Sequence, residues 1–337
     1  MTRTQENPRH SGLAQPVTRA SVLKGLGALA CLPFFRPLPA SAAPADTGTM
    51  DAPDMAVREI APGVFVHHGR YELQSPENLG DMANCAFVVG DEAVAVIDTS
   101  GSAICGKAFR KSLREVTDRP IRFVINTHMH PDHVFGNAAF KADDPVFVAH
   151  KNMKAGLSVR SETYMASSER MMGKEALVGT EVILPTREIA GKETLDLGNR
   201  KLVLEPQPTA HTNNDLIVTD EKTGTLFLAD LLFSTHIPTL DGSILGWLDL
   251  IETFHDRKAA RVVPGHGPVS MEMPASLKDE QRYWKTIAKD IRQTIAENGT
   301  LEEAVKTAGY SEKDKWELFD IYHRRNVTAA FAELEWE

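Results

Sequence analysis

The chain has 337 residues, of which 42% are hydrophobic and 25% are charged. This mix is typical of a soluble globular protein that can bury a full core in one large domain or two ordinary ones. Lys and Arg number 37 against 46 Asp and Glu, a formal net charge of -9, which argues against binding to a nucleic-acid backbone. No stretch after residue 45 has the roughly 18 unbroken apolar residues that a membrane span needs.

The first 42 residues have the pattern of an export signal peptide. Arg19 and Lys24 supply positive charge, and an apolar stretch rich in Leu, Ala and Gly continues to Phe35. The small residues at 40–42, Ala-Ser-Ala, then form a cleavage site of the A-x-A type. Ala20 stands where a twin-arginine signal has its second Arg, so both a Tat-like and a Sec route stay open. The pattern predicts a periplasmic protein, with a disordered leader or a mitochondrial-type presequence as the alternatives.

The chain has three Cys, too few for a disulfide scaffold. Only Cys85 and Cys105 follow the predicted cleavage site. In an oxidising periplasm these two could pair, and two buried free thiols are the equal alternative.

Strands and helices alternate after the leader. Apolar runs and alternating patterns predict strands at 57–69, 121–127, 146–149, 201–204, 216–219, 225–228 and 260–263, and a hairpin at 86–98. Helical spacing predicts helices at 103–116, 152–173 and 248–254, and again from residue 276 onward. Thr300 and Glu303 have the spacing of a capping box for one of the last helices. The alternation predicts sheets covered by helices, an α/β sandwich.

One hexad, residues 128–133, concentrates metal-binding side chains directly after a predicted strand. It reads His-Met-His-Pro-Asp-His. In an extended chain residues i and i+2 point the same way, so His128 and His130 can hold one metal ion. Asp132 and His133 follow the proline bend and can face a second ion. Imidazole and carboxylate are ligands that suit zinc.

The hexad is the H-x-H-x-D-H motif of the metallo-β-lactamase superfamily, and the chain resembles this family over about residues 57–268. The resemblance implies an α/β fold, the αββα metallo-β-lactamase sandwich, here with a C-terminal helical extension. It also implies two Zn2+ per chain, with iron or manganese left open. The implied ligands are His128, His130 and His211 for the first ion and Asp132, His133 and His266 for the second, with Asp230 bridging the two.

Two further residues are predicted to support the ligands. Asp98 matches the Asp that orients a metal-bound His in this family, and Thr212 follows the ligand His211 directly. The predicted organisation is a signal peptide at 1–42, a linker at 43–56, a metallo-β-lactamase-fold domain at 57–270 and a C-terminal helical extension at 271–337 packed on that domain.

Details of the motifs separate the subfamilies. His130 stands where the flavodiiron proteins have Glu, and Asp230 replaces the Cys or Ser of most true zinc β-lactamases. The resemblance therefore disfavours β-lactam hydrolysis as the native task. A bridging Asp is shared with glyoxalase II, lactonases and sulfatase-like members.

The stretch at 235–243, with Gly-Trp at 246–247 and the ending at 321–327, is most similar to the quinoprotein relay system zinc metallohydrolases, relatives of the SoxH proteins. This resemblance implies an exported protein with a functional link to a quinoprotein dehydrogenase in alcohol oxidation. His236 and Asp241 lie on the loop after the bridging Asp, which predicts substrate contact for both. A role in supporting the ligands or packing the loop is the equal alternative for His236.

The family mechanism implies a bridging hydroxide that attacks a small ester, lactone, thioester or related substrate, with Asp132 as a ligand that also passes a proton. A mononuclear iron sulfur (persulfide) dioxygenase and a non-catalytic accessory protein of a quinoprotein dehydrogenase are the alternatives. The Met-rich segment 153–172 is expected to be either a lid over the site or a helix packed on the sheet edge. The sequence leaves the substrate and the oligomeric state open.

Overall fold

The computed structural model describes residues 50–337, in which two mixed β-sheets face each other and helices cover their outer sides. The predicted signal peptide at 1–42 and the first half of the predicted linker lie outside the described residues.

The first sheet has seven strands in sequential order. They are β1 Val57–Ala61, β2 Val64–His67, β3 Cys85–Val89, β4 Val94–Ile97, β5 Ile121–Ile125, β6 Val146–His150 and β7 Arg187–Ile189. Strands β1 to β4 pair antiparallel, whereas β4 to β7 pair parallel. The carboxyl ends of β4 and β5 therefore meet at one edge of the sheet.

The second sheet has five strands in the order β12-β11-β10-β9-β8. They are β8 Glu193–Asp196, β9 Lys201–Pro206, β10 Leu216–Asp220, β11 Thr225–Phe233 and β12 Arg261–His266. The pair β11 and β12 is parallel and the other pairs are antiparallel. The ends of β11 and β12 therefore lie together.

The helices are α1 Ala103–Val116, α2 Pro131–Val134, α3 Met153–Met172, α4 Ile244–His255, α5 Lys278–Ala296, α6 Leu301–Thr307 and α7 Phe319–Leu334. Short 3-10 segments lie at Phe135–Asp143, Glu175–Leu177, Ala275–Leu277 and Tyr310–Lys315. Among residues 50–337, no helix is both long and apolar enough to cross a membrane.

Three apolar clusters hold these layers together. The middle cluster lies between the sheets and joins Val88 and Ile125 of the first sheet to Leu204 and Phe227 of the second. The second cluster packs α1 and α3 on the first sheet, and the third packs α4, α5 and α7 on the second sheet. This order of layers is the predicted αββα sandwich with a C-terminal helical region.

Side-chain caps explain where several helices begin. Ser102 accepts a hydrogen bond from the amide of Cys105 at the start of α1, and Ser243 does the same for Gly246 at the start of α4. The capping box predicted from Thr300 is present at α6. Each cap satisfies an amide that the first helical turn leaves free.

The structure differs from the predicted elements in a few places. The single strand predicted at 57–69 is two strands, because the chain turns at Gly63, which has a φ of 70°. Helix α4 begins four residues before its predicted start. The short, half-polar strands β7 and β8 were not predicted. Cys85 and Cys105 are both free and buried, so of the two alternatives the structure has free thiols.

Candidate metal centre

Three imidazoles meet in a first cluster. The Nδ1 atom of His130 lies 3.1 Å from Nε2 of His128 and 3.0 Å from Nε2 of His211, and the last two atoms are 3.3 Å apart. Ligand nitrogens at 2.0–2.1 Å from a tetrahedral zinc ion stand about 3.3 Å from one another. The spacing of the three nitrogens therefore fits a single cation between them.

A second cluster lies beside the first and contains Asp132, His133 and His266. Oδ2 of Asp132 is 3.3 Å from Nε2 of His266 and 3.6 Å from Nε2 of His133. This cluster combines imidazole nitrogen with carboxylate oxygen, as the sequence predicted for a second ion.

Asp230 stands between the clusters. Its Oδ1 atom is 3.1 Å from Nε2 of His133, and its Oδ2 atom is 3.4 Å from Nε2 of His211 and 3.5 Å from that of His266. The carboxylate thus contacts both groups of ligands, which is the placement required of a bridging ligand.

Strand ends and tight turns bring these residues together. His128 follows the end of β5, Asp230 lies near the end of β11, and His266 ends β12. Only glycine fits at position 265 between β11 and β12, because a Cβ atom there would lie 1.8 Å from Oδ1 of Asp230 and clash with it. The missing side chain lets Asp230 and His266 come close together. Pro131 begins the short helix α2 and turns the chain from the first cluster to the second.

The remaining ring nitrogen of each imidazole is hydrogen-bonded, which fixes the orientation of the ring. The Nδ1 atom of His133 donates to Oδ2 of Asp98 at 2.8 Å, and that of His211 donates to a backbone carbonyl at 2.7 Å. The Nδ1 atom of His266 donates to the carbonyl of Met82 at 3.1 Å.

In the hexad, the rings of His128 and His130 are held in the same way. Nε2 of His130 donates to Oδ2 of Asp241 at 3.0 Å, and Nδ1 of His128 lies 3.1 Å from the hydroxyl of Thr127. That hydroxyl in turn donates to Asp98 at 2.7 Å. In its neutral form, each of the five rings would therefore present one lone pair to the centre.

Burial favours the neutral form of two imidazoles in the first cluster. Burial lowers the pKa of His128 well below its usual value and lowers the pKa of His211 to about 3. Neutral imidazole is the form that binds a metal ion.

The second cluster is rich in negative charge. Burial opposes ionisation there, but the carboxylates of Asp230 and Asp132 outweigh it and raise the pKa of His133 well above its usual value and that of His266 to about 9. Burial also acts to raise the pKa of both carboxylates, yet the neighbouring His133 and His266 hold it below its usual value. Buried carboxylates of this kind require a cation beside them.

Two buried atoms in the centre, Nε2 of His133 and Oδ1 of Asp230, lie 3.1 Å apart, yet neither makes a hydrogen bond of acceptable geometry. Native proteins rarely leave buried polar atoms unsatisfied unless an ion or water completes them. The orphaned atoms, the ligand spacing and the mixed nitrogen and oxygen donors all fit a pair of divalent cations.

A cavity of about 340 Å³ opens on the second cluster. Asp132 and His266 form part of its floor, and Asp132 is the more exposed of the two central carboxylates, at 18% against 4% for Asp230. The walls come from the loop before β3, from α3 and from α7, and are largely apolar. The size is typical of a small-molecule site.

Helix α3, the Met-rich segment, is expected from the sequence to be either a lid over the site or a helix packed on the sheet edge, and it has features of both. Met153 and Leu157 pack into the core under the first sheet, so the helix is part of the fold. Tyr164 and Met171, farther along, line the cavity. The segment is therefore a packed helix that forms one wall of the site.

The predicted supporting residues have different surroundings. Asp98 holds His133 as expected, whereas the hydroxyl of Thr212 donates to Asp215 at 2.6 Å and reaches no ligand side chain. His236 lines the cavity, and its Nδ1 atom bonds the carbonyl of Ile237 at 2.5 Å. Asp241 does not line the cavity but lies behind His130, because its carboxylate is taken up by the imidazole and by basic side chains.

Several cavity residues were not singled out from the sequence. Tyr322 and Arg325 come from α7 and Tyr164 from α3. The only signal for the first two was the resemblance of the stretch 321–327 to the quinoprotein relay group, which gave no role to single residues.

Comparisons with known proteins agree with this geometry. A family profile described as "Metallo-beta-lactamase superfamily" matches residues 79–266, more than half of the chain. A curated "Linear primary-alkylsulfatase" from Pseudomonas sp. (strain ATCC 19151) is 25% identical over 125 residues, 37% of this chain. The chain covers only 22% of that relative's length.

Solved structures show the same fold. A metallo-beta-lactamase from Pontibacter korlensis has a TM-score of 0.54 at 19% identity, covering 68% of this chain and 98% of that one. A structure of TMB-1 has a TM-score of 0.54 at 19% identity, covering 69% of this chain and 98% of that one. A double mutant of the sec-alkyl sulfatase PisA1 has a TM-score of 0.58 at 17% identity, covering 75% of this chain and 45% of that one. With the family match and the His and Asp clusters in place, the chain belongs to the metallo-beta-lactamase superfamily, whose members are generally hydrolases.

Proposed function

We propose that this protein is a dinuclear zinc hydrolase of a small ester, lactone or thioester. The observation that carries the proposal is the convergence of seven ligand side chains in two clusters joined by Asp230, beside a small-molecule cavity. Four of the seven line that cavity: His130, Asp132, Asp230 and His266. A zinc pair, when bound, supplies a Lewis acid for a substrate oxygen and a nucleophile from water at neutral pH.

The chain's own residues would do the rest. His128, His130 and His211 would hold the first ion, and the second cluster would hold the other, with the rings oriented by their hydrogen bonds. Asp132 reaches the cavity, so its carboxylate is placed to take a proton from the attacking water and return it to the leaving group. The largely apolar walls offer a surface to the part of the substrate that does not react.

Sulfate esters are a second candidate substrate class. The curated relative is described as a linear primary-alkylsulfatase, and one structural neighbour is a sec-alkyl sulfatase. Met171 and Ile321 stand at the cavity with 39% and 48% of their surface exposed, a suitable contact for an alkyl chain.

The test is a hydrolysis panel of carboxylic esters, lactones, thioesters, alkyl sulfates and a β-lactam, run on zinc-reconstituted and chelated protein. We expect zinc-dependent hydrolysis of at least one class, and a loss of at least about 100-fold in kcat for Asp132→Asn. Asp144→Asn changes an exposed carboxylate on a distant turn and is the matched control. Zinc-replete protein that hydrolyses nothing would contradict the proposal and favour a non-catalytic accessory protein.

Metal analysis of the same preparation distinguishes the iron alternative. The complete set of seven ligands favours two zinc ions, whereas one iron per chain with thiol-dependent oxygen uptake would favour the persulfide dioxygenase.

We further propose export to the periplasm and a functional link to a quinoprotein dehydrogenase. The support is the leader pattern at 1–42 and the resemblance at 235–247. N-terminal sequencing of the protein from a periplasmic fraction should begin at Ala43. An intact leader on cytoplasmic protein would contradict export.

A further inference from the structure

The carboxylate of Asp241 is shared by three cationic or hydrogen-donating groups. Its Oδ2 atom accepts from Nε2 of His130 and from the guanidinium of Arg160, and its Oδ1 atom lies 3.5 Å from Nη2 of Arg325. Two guanidinium groups thus face one carboxylate that already binds an imidazole. One positive charge at this place is left without a partner.

Arg325 is the more loosely held of the two arginines. It lines the cavity, its side chain is 60% exposed, and 3.5 Å is beyond the range of a strong charge-assisted hydrogen bond. Arg160, by contrast, does not line the cavity, and it bonds both Asp241 and the hydroxyl of Tyr164. Most of the five N–H donors of Arg325 are therefore available to a molecule in the cavity.

The charge of the cavity also favours an anion. The carboxylates of Asp132, Asp230 and Asp98 would carry three negative charges against the four positive charges of two divalent cations, while metal-bound imidazoles are neutral. The cavity would keep a positive field although the chain as a whole carries -9. A cleft lined by positive charge raises the local concentration of negatively charged ligands.

The position of Arg325 separates it from the reacting group. It contacts Oδ1 of Asp241, whereas His130 bonds Oδ2 and turns its other nitrogen toward the first cluster. The guanidinium therefore lies beyond His130 as seen from the ligand atoms. On the same helix, exposed Ile321 offers an apolar surface in the cavity.

Resting on the proposed function, we propose that the native substrate carries a second, anionic group at the end of an apolar chain, and that Arg325 binds this group. The substrate class is an amphipathic ester with a remote carboxylate or a similar anion, and Arg325 is the residue that selects it over neutral esters of the same length.

Binding tests this independently of turnover. Zinc-replete protein is titrated with adipate and suberate against hexanoate and octanoate in a calorimeter, since each pair differs only in the remote carboxylate. We expect the dicarboxylate to bind roughly 2- to 5-fold more tightly, the upper range for a solvent-exposed ion pair. Arg325→Met should abolish this advantage, and Arg325→Lys should keep part of it.

Arg324→Met is the matched control, because Arg324 is the exposed neighbour on α7 and does not line the cavity. It should keep the full preference. Kinetics with monoethyl adipate and ethyl hexanoate should show the same pattern as a rise in KM for the charged ester alone in Arg325→Met.

Equal binding of mono- and dicarboxylates by the wild type, or a preference that survives in Arg325→Met, would overturn the inference. A preference for dicarboxylates without hydrolysis of any ester would instead refute the proposed function and leave the anion site standing.

Discussion

Asp98 connects both clusters, and replacing it by Asn gives the sharpest prediction about how the centre is held. Its carboxylate accepts from Nδ1 of His133 at 2.8 Å and from the amide and hydroxyl of Thr127 at 2.8 and 2.7 Å. The hydroxyl of Thr127 faces His128. One buried carboxylate therefore orients an imidazole in each cluster.

Asparagine preserves the shape but replaces one acceptor oxygen by an N–H2 donor. If the side-chain oxygen of the new asparagine keeps accepting from the backbone amide of Thr127, its side-chain NH2 group faces the Nδ1–H group of His133, and two donors oppose each other. The contact is relieved only when the proton of His133 moves to Nε2, the atom that should bind metal. We expect a loss of about 10- to 100-fold in metal affinity, as for other residues that orient a metal-bound His. Losing one charge-assisted bond should also lower the free energy of unfolding by about 1.5–3 kcal/mol.

The assay is competition with a chromophoric chelator, together with denaturant unfolding of metal-free protein. Asp220→Asn is the control, because Asp220 is equally buried and bonds Arg200 at 3.0 and 2.7 Å, away from the clusters. It should lose stability but keep its metal affinity. Wild-type metal affinity in Asp98→Asn would refute the reasoning.

Three further changes test other parts of the account. His128→Ala should lose about one of two metal ions per chain, and elemental analysis showing unchanged metal would contradict its assignment. Asp241→Asn should weaken the first site by about 10-fold or more, because His130 loses its charged acceptor; unchanged chelator competition would refute that role. Burial lowers the pKa of His150 to about 4, so this side chain takes up a proton in the unfolded chain but not in the folded protein. Its own contribution to the free energy of unfolding should therefore fall by about 1–2 kcal/mol from pH 7 to pH 5. His150→Asn keeps an acceptor for the amide of Asn152 and should show a smaller slope with pH; an equal slope would contradict the assignment.

The metal centre could be predicted from sequence where its geometry is local. Residues 128–133 begin three residues after the end of β5, so a short stretch of chain and one proline bend already place four ligands. His211, Asp230 and His266 were found through their order in a family pattern. The structure brings all seven together at the ends of neighbouring strands.

The walls of the cavity could not be predicted in this way. Arg325 and Asp241 are 84 positions apart and meet only because α7 packs against the loop before α4. A substrate role for Asp241 was expected because it follows the bridging Asp on a loop, but its neighbours in space are His130 and Arg160. Contacts of this kind depend on helix packing, which no local pattern encodes.

Short elements at sheet edges were missed for a related reason. Strand β7 has three residues and β8 has four, and only Ile189 and Leu195 in them are buried. Such runs carry too few apolar positions to show a period, and pairing with β6 and β9 defines them.

The most direct test of the paired metal centre is anomalous X-ray scattering at the zinc edge from crystals grown with zinc. We expect two peaks, one among the ring nitrogens of His128, His130 and His211 and one among Asp132, His133 and His266, with Asp230 between them. A single peak, or peaks away from these side chains, would contradict the account.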